Sequence, residues 1–101
     1  MNKNAQAWLD ACLADTMPNP ASLSVEYEHL DNIRKELIDA GWQSDGTDID
    51  LGKYTGRGRR HSQTKYRFYL LSADKKMRVT ITKTRTTKWI GYLSCKPTHF
   101  T

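Results

Sequence analysis

The sequence lacks any long hydrophobic run and has only two cysteines among its 101 residues. No apolar segment approaches the roughly 20 residues of a membrane-spanning helix, and the first residues, with Lys3 alone and no apolar stretch behind it, do not make a secretory signal. Cys12 and Cys95 are too few for a disulfide framework or a zinc site. We therefore expect a cytoplasmic protein with two buried thiols rather than a bridge between them, no metal and no other cofactor.

Acidic residues are almost missing from the second half of the chain. Residues 53–101 contain thirteen lysines and arginines against Asp74 alone, a balance of +12, whereas residues 1–52 contain three basic and ten acidic residues, a balance of −7. The formal net charge of +5 conceals this division. Such an asymmetry favours a polyanionic or acidic partner, either nucleic acid (RNA or DNA) or an acidic protein surface.

Hydrophobic residues are also scarce, at 38% of the chain, but this is above the level typical of disorder. Three Trp, five Tyr and two Phe are enough to build a core. A chain of this length corresponds to one domain. We predict a single domain over 1–101, with an acidic helical part at 4–40 and a basic antiparallel sheet at 49–96.

Helical spacing of apolar residues is confined to the first 40 residues. The first predicted helix spans residues 4–15, because Trp8, Leu9 and Cys12 recur on one face behind a capping asparagine. The second begins between residues 19 and 24 and ends at Ala40. Gly41 is placed to adopt the left-handed conformation that ends a helix, with Trp42 falling back onto the core.

After residue 48 the apolar spacing changes to two. Residues 44–48 are a loop by composition, and strands are predicted at 49–56, 66–71, 77–82 and 89–95, with turns at 73–76 and 85–88. Short connections imply a meander. The expected fold is therefore α+β, with two N-terminal helices packed on one face of a four-stranded antiparallel β-meander (ααββββ). The covered face would carry Tyr66, Phe68, Leu70, Met77, Val79 and Ile81.

The opposite face of the predicted sheet mixes basic, aromatic and hydroxyl side chains. Alternation assigns to it Arg67, Tyr69, Leu71, Arg78, Thr80, Thr82 and Thr84. The register of the last strand is ambiguous: either Trp89, Gly91 and Leu93 or Ile90 and Tyr92 point outward. In either case we expect at least one large aromatic side chain on this surface.

The most distinctive segment is glycine- and arginine-rich, Gly56-Arg57-Gly58-Arg59-Arg60-His61. Flexible glycines let guanidinium groups reach phosphate oxygens, and nearby aromatic rings can stack on unpaired bases. We predict a small, basic, non-enzymatic binding module that contacts nucleic acid or a nucleoprotein complex through the 53–65 loop and the open sheet face. The predicted binding residues are Lys53, Arg57, Arg59, Arg60, His61, Lys65, Arg67, Tyr69, Arg78, Arg85 and Lys88.

A protein partner is the main alternative. A small basic protein of the phage or mobile-element type could act as an inhibitor or adaptor, docking on a protein component of a nucleic-acid-processing complex. An exposed edge strand and the semi-polar sheet face would suit that role. The acidic helices of one copy could also bind the basic sheet of another copy, which predicts weak self-association.

An enzymatic alternative rests on a resemblance. A helix followed by Ala40-Gly41-Trp42, a glycine before His61, and Arg78-Val79-Thr80-Ile81 resemble small mRNA-cleaving toxins built on a sheet like that of double-stranded-RNA-binding domains. The resemblance implies a small ribonuclease with His61 as general base. The chain departs from that pattern, because Arg60 rather than a Gly-Ser pair precedes the histidine.

Overall fold

The chain folds as helices and strands that form one antiparallel sheet. A computed structural model describes residues 3–52, 63–85 and 88–98. Helix α1 (Lys3–Leu13) precedes strand β1 (Ser22–Val25), a 3₁₀ turn (Tyr27–His29) and helix α2 (Leu30–Asp39). Strands β2 (Gln43–Gly52), β3 (Gln63–Leu71), β4 (Met77–Arg85) and β5 (Trp89–Pro97) follow, and the sheet order is β1-β5-β4-β3-β2.

The α+β class, the two helices and the antiparallel sheet are confirmed, but the predicted order ααββββ omits a strand that lies between the two helices. The sheet has five strands, and the additional strand β1 lies where the second helix was predicted to begin. Its sequence alternates, with Ser22 and Ser24 exposed and Val25 buried. β-branched Val25 and this period of two favour a strand over a helical turn.

A glycine in β5 makes room for β1 and for α2. Gly91 is the register partner of Val25. A Cβ atom at Gly91 would lie 2.6 Å from the Val25 carbonyl oxygen and 2.9 Å from Leu30 Cδ1. Both distances are shorter than real Cβ contacts allow, so the missing side chain lets Leu30 pack directly on the sheet.

Helix α1 is held to the sheet by a buried stripe and one hydrogen bond. Trp8, Leu9 and Cys12 are buried as the spacing predicted, whereas Leu13 is 40% exposed. Trp8 Nε1 donates to the Ala21 carbonyl at 3.0 Å, next to the start of β1.

Helix α2 ends as predicted. Gly41 has φ of 103°, and the backbone N–H groups of Gly41 and Trp42 donate to Ile38 and Leu37 carbonyls at 3.0 Å. This is the pattern of a left-handed helix stop. Trp42 is buried in the same core cluster as Leu37.

The predicted loop at 44–48 is wrong, because these residues belong to β2. The register between β2 and β3 shifts between Ser44 and Thr47, which indicates a bulge. Gly46, with φ of 106°, supplies the left-handed residue that such a bulge uses. The residues whose composition is typical of a loop therefore form the bulge within β2. The end of the predicted strand, at 53–56, lies outside the described residues.

The faces of β3 and β4 are those that alternation predicted, and the register of β5 is now defined. Leu70, Met77, Val79 and Ile81 are buried under the helices, with Phe68 packed against them. The pairs Thr82↔Tyr92 and Thr84↔Ile90 put Tyr92 and Ile90 on the face without helices. Tyr92 is 42% exposed there, so the prediction of an exposed aromatic side chain is confirmed.

The two cysteines are distant in sequence but neighbours in the core. Cys12 and Cys95 are buried and not bridged. The neighbouring Cys95 thiol and burial raise the pKa of Cys12, whereas the neighbouring Cys12 thiol lowers the pKa of Cys95 although burial opposes this. Both helices are too short to cross a membrane, and no described helix is long and apolar enough for this.

Candidate functional site

One end of the sheet collects the features that the sequence singled out. β2 ends and β3 begins there, at the paired residues Gly52 and Gln63, and segment 53–62 connects these two residues. Thr64 pairs with Arg85, and Arg85 pairs with Trp89, so β4 ends and β5 begins at the same end. We call this the basic end of the sheet, because Arg85, Lys88 and the arginine-rich segment enter or leave the sheet here.

The predicted binding residues divide into three groups. Lys53, Arg57, Arg59, Arg60 and His61 lie outside the described residues. Strand register places Lys65, Arg67, Tyr69 and Arg78 together on the face without helices. Arg85 and Lys88 lie at the basic end instead, with Arg85 on the helix side of the sheet and Lys88 exposed before β5.

A shallow groove on the open face lies close to the basic end. It is lined by Lys65, Arg67, Thr82, Thr84 and Tyr92. The two cations, the Thr82 hydroxyl and the Tyr92 phenol are donors suited to phosphate oxygens, whereas Thr84 is buried. We call this the open-face groove.

The open face, including the groove, is partly balanced in charge. Arg67 contacts Asp48 at 3.3 Å and Arg78 contacts Asp45 at 3.5 Å, both acids belonging to β2. The Arg78 guanidinium also lies 4.5 Å from the Tyr69 ring centroid. Part of the positive charge of β3 and β4 is therefore neutralised by the acidic edge strand.

A second recess lies on the helix side of the basic end. It is a cleft of about 450 Å³ lined by Tyr27, Tyr66, Phe68, Lys83 and Trp89, which we call the aromatic cleft. Its volume is in the range of small-ligand pockets. The Trp89 ring lies centrally, with its centroid 5.9 Å from that of Tyr66 and 6.0 Å from that of Tyr27.

Cations approach the rings of the aromatic cleft. Arg85 lies 5.7 Å from the Trp89 centroid, and Lys83 lies 5.8 Å from that of Phe68. Arg34 of α2 lies 4.7 Å from the same Phe68 ring, and its Nε atom is buried with no hydrogen-bond partner. The Lys83 ammonium is bound to Asp31 at 2.8 Å.

Acidic side chains flank the cleft near Tyr27. Glu26, Glu28 and His29 place one potential ligand atom each within 4.8 Å of one another, and His29 Nε2 lies 3.2 Å from a Glu26 carboxylate oxygen. Exposed acidic groups of this kind occur commonly without a bound ion. The expectation of no metal and no cofactor stays a prediction.

Comparison of the chain with protein-family models, curated proteins and solved structures finds no match. The candidate sites therefore rest on this chain's own side chains. The ribonuclease resemblance stays a prediction, because His61 lies outside the described residues.

The aromatic cleft was missed by sequence reasoning. Tyr27 falls within the range predicted for the second helix, and Tyr66 and Phe68 fall on the predicted covered face of the sheet. Because β1 replaces the first turns of that helix, Tyr27 instead lies against Trp89 and is 44% exposed. The alternating Ser-Leu-Ser-Val at 22–25 was the signal that could have revealed this.

Proposed function

We propose that this protein is a non-enzymatic binding module for nucleic acid, which it contacts at the basic end of the sheet. The observation that carries the proposal is that three features meet at one end of the sheet: Arg85 at the end of β4, Lys88 just before β5, and the pair Gly52 and Gln63 that segment 53–62 connects. The open-face groove lies at the same end. Lysine and arginine side chains grouped in this way favour phosphate oxygens.

The open-face groove offers hydrogen-bond donors to a nucleic acid rather than a large net positive charge. Lys65 and Arg67 point onto the same surface as Thr82, and Asp48 engages the Arg67 guanidinium. We expect phosphate contacts here to be fewer than at segment 53–62, whose four basic residues have no acidic neighbour within the segment. The segment is therefore the first target for mutation.

The test is a binding titration with a fluorescent single strand of roughly twelve nucleotides, a length within known site sizes. We expect the combined variant Arg57→Ala, Arg59→Ala and Arg60→Ala to bind at least about ten times more weakly than wild type at low salt. The control removes three exposed lysines outside the basic end, Lys35, Lys76 and Lys96, with the same change in net charge. Equal affinity of both variants would refute a dedicated contact at the basic end.

A protein partner remains the second candidate, because β2 leaves one edge of the sheet without a neighbouring strand in the described order. An extended segment of a partner could add to that edge. A pull-down from a bacterial lysate, divided into nuclease-treated and untreated halves, separates the two candidates. Material that disappears with nuclease supports nucleic acid, whereas one protein retained at near-equal stoichiometry supports the inhibitor or adaptor role.

A further inference from the structure

We infer that the aromatic cleft is a stacking site for unpaired bases, so that the protein prefers single-stranded nucleic acid over duplex. This inference rests on the proposed function and adds the class of nucleic acid to it. The cleft lies on the helix side of the same basic end as the open-face groove, on the opposite face of the sheet.

The rings of the cleft are accessible rather than part of the core. Tyr27 is 44% exposed, and Tyr66 and Trp89 are each half-buried. By contrast, Trp8 and Trp42 are buried under or beside the helices. Three neighbouring rings with accessible surface match the stacking platforms of proteins that bind single strands, because every base presents a planar face whatever the sequence.

Arg85, beside the Trp89 ring, favours a ligand that carries an anionic group. Lys83 and Arg85 each lie within 6 Å of a ring centroid of the cleft. Lys83 is paired with Asp31, whereas no ion pair joins Arg85 to another described residue. An apolar peptide seated on these rings would remove Arg85 from water without a counter-charge, which is costly. A base stacked on Trp89 would instead bring its phosphate toward Arg85. A planar ring joined to an anionic group fits this cleft, and nucleotides have that chemistry.

Duplex is a poor ligand for such a site. Its bases are paired and stacked on each other, so their faces are reached only by unstacking them, which costs a few kcal/mol per base step. Unpaired bases carry no such cost. The cleft therefore favours RNA or DNA single strands, and the phosphate contacts alone would not make this distinction.

The test compares three ligands of similar length: a single strand, its duplex, and an abasic strand that keeps the phosphates but lacks bases. We expect the single strand to bind more tightly than the other two. Trp89→Ala and Tyr27→Ala should each lower its affinity by about 5- to 100-fold, because stacking on an aromatic side chain contributes about that much per base. Affinity for the abasic strand should stay unchanged in both variants, and Trp89→Phe should restore most of the loss.

Leu13→Ala is the matched control, because it removes an apolar side chain of similar exposure at the end of α1. Thermal unfolding of each variant shows whether the fold is kept, and unchanged abasic binding shows that the basic end is intact. If no ligand binds, the proposed function and this inference both fall. If all three bind equally and Trp89→Ala and Tyr27→Ala have no effect, the inference is overturned while the proposed function stands.

Discussion

At the scale of single residues, Gly91 decides how closely the helical layer approaches the sheet. The backbone of β1 and the side chain of Leu30 occupy the space that a side chain at this position would need. Nothing in the alternating pattern of β5 marks this glycine as structural, since a glycine in a strand can equally indicate a bulge. Its role depends on β1, a strand that the sequence reasoning did not include.

We expect Gly91→Ala to lower the free energy of unfolding by about 1–3 kcal/mol, the usual cost of overpacking a well-filled core. Urea denaturation followed by tryptophan fluorescence measures this change. Lys96→Ala, at an exposed position of the same strand, serves as the control and should change stability little. A Gly91→Ala variant as stable as wild type would show that β1 and Leu30 can move aside at no cost.

At the scale of elements, α1 depends on Trp8 for its position. The indole N–H donates to the Ala21 carbonyl, and the same carbonyl accepts a hydrogen bond from the Cys95 backbone at 2.9 Å. The helix, the segment before β1 and the far end of β5 thus meet at one acceptor. The helical spacing predicted that Trp8 would be buried but could not indicate this hydrogen bond, whose partners are 13 residues apart.

Trp8→Phe keeps most of the buried ring and removes the donor. We expect the free energy of unfolding to fall by about 1–2 kcal/mol, of which the hydrogen bond contributes about 1 kcal/mol. Chemical denaturation of the variant measures the loss. Trp42→Phe is the control, since no hydrogen bond from the Trp42 side chain is described. A larger fall in the free energy of unfolding for Trp42→Phe than for Trp8→Phe would contradict the role assigned to the Trp8 hydrogen bond.

The elements that periodicity predicted well are those with a clean pattern and a local stop signal. The end of α2 at Gly41 and the alternation along β4 are examples, because each depends on residues close in sequence. The predictions for the residues of β1 and for the start of β2 were wrong, because these elements depend on residues that are distant in sequence. A strand of four residues and a bulge at Asp45-Gly46 are stabilised by pairing with distant strands, and local composition there resembles a helix start or a loop.

At the scale of the whole molecule, the division of charge along the chain has two consequences. Part of the opposite charge is neutralised within the molecule, because acidic residues of the first half form ion pairs with basic residues of the second half. These acidic residues are Asp45 and Asp48 on the open face and Asp31 at the aromatic cleft. Sequence counting could not distinguish these paired cations from those available to a partner. The strand order brings other basic residues of the second half together at the basic end of the sheet.

The candidate site was therefore predictable in part. Basic residues of 53–65 and the open face could be identified from charge and alternation alone. The aromatic cleft could not, since it requires Tyr27, Tyr66 and Trp89 to meet, and they come from a 3₁₀ turn and two different strands. The alternating Ser-Leu-Ser-Val at 22–25 indicates β1 locally, but the meeting of the three rings depends on long-range strand pairing, which leaves no local pattern.

The most direct test of nucleic-acid binding at the basic end is the salt dependence of affinity for a single strand. Each neutralised phosphate adds about −0.7 to the slope of log affinity against log salt concentration. We predict a steep linear fall for wild type, and a slope smaller by about 2 for the variant in which Arg57, Arg59 and Arg60 are all alanine. An affinity that does not change with salt, or a slope that the triple substitution leaves unaltered, would contradict the proposed binding of phosphates at this end of the sheet.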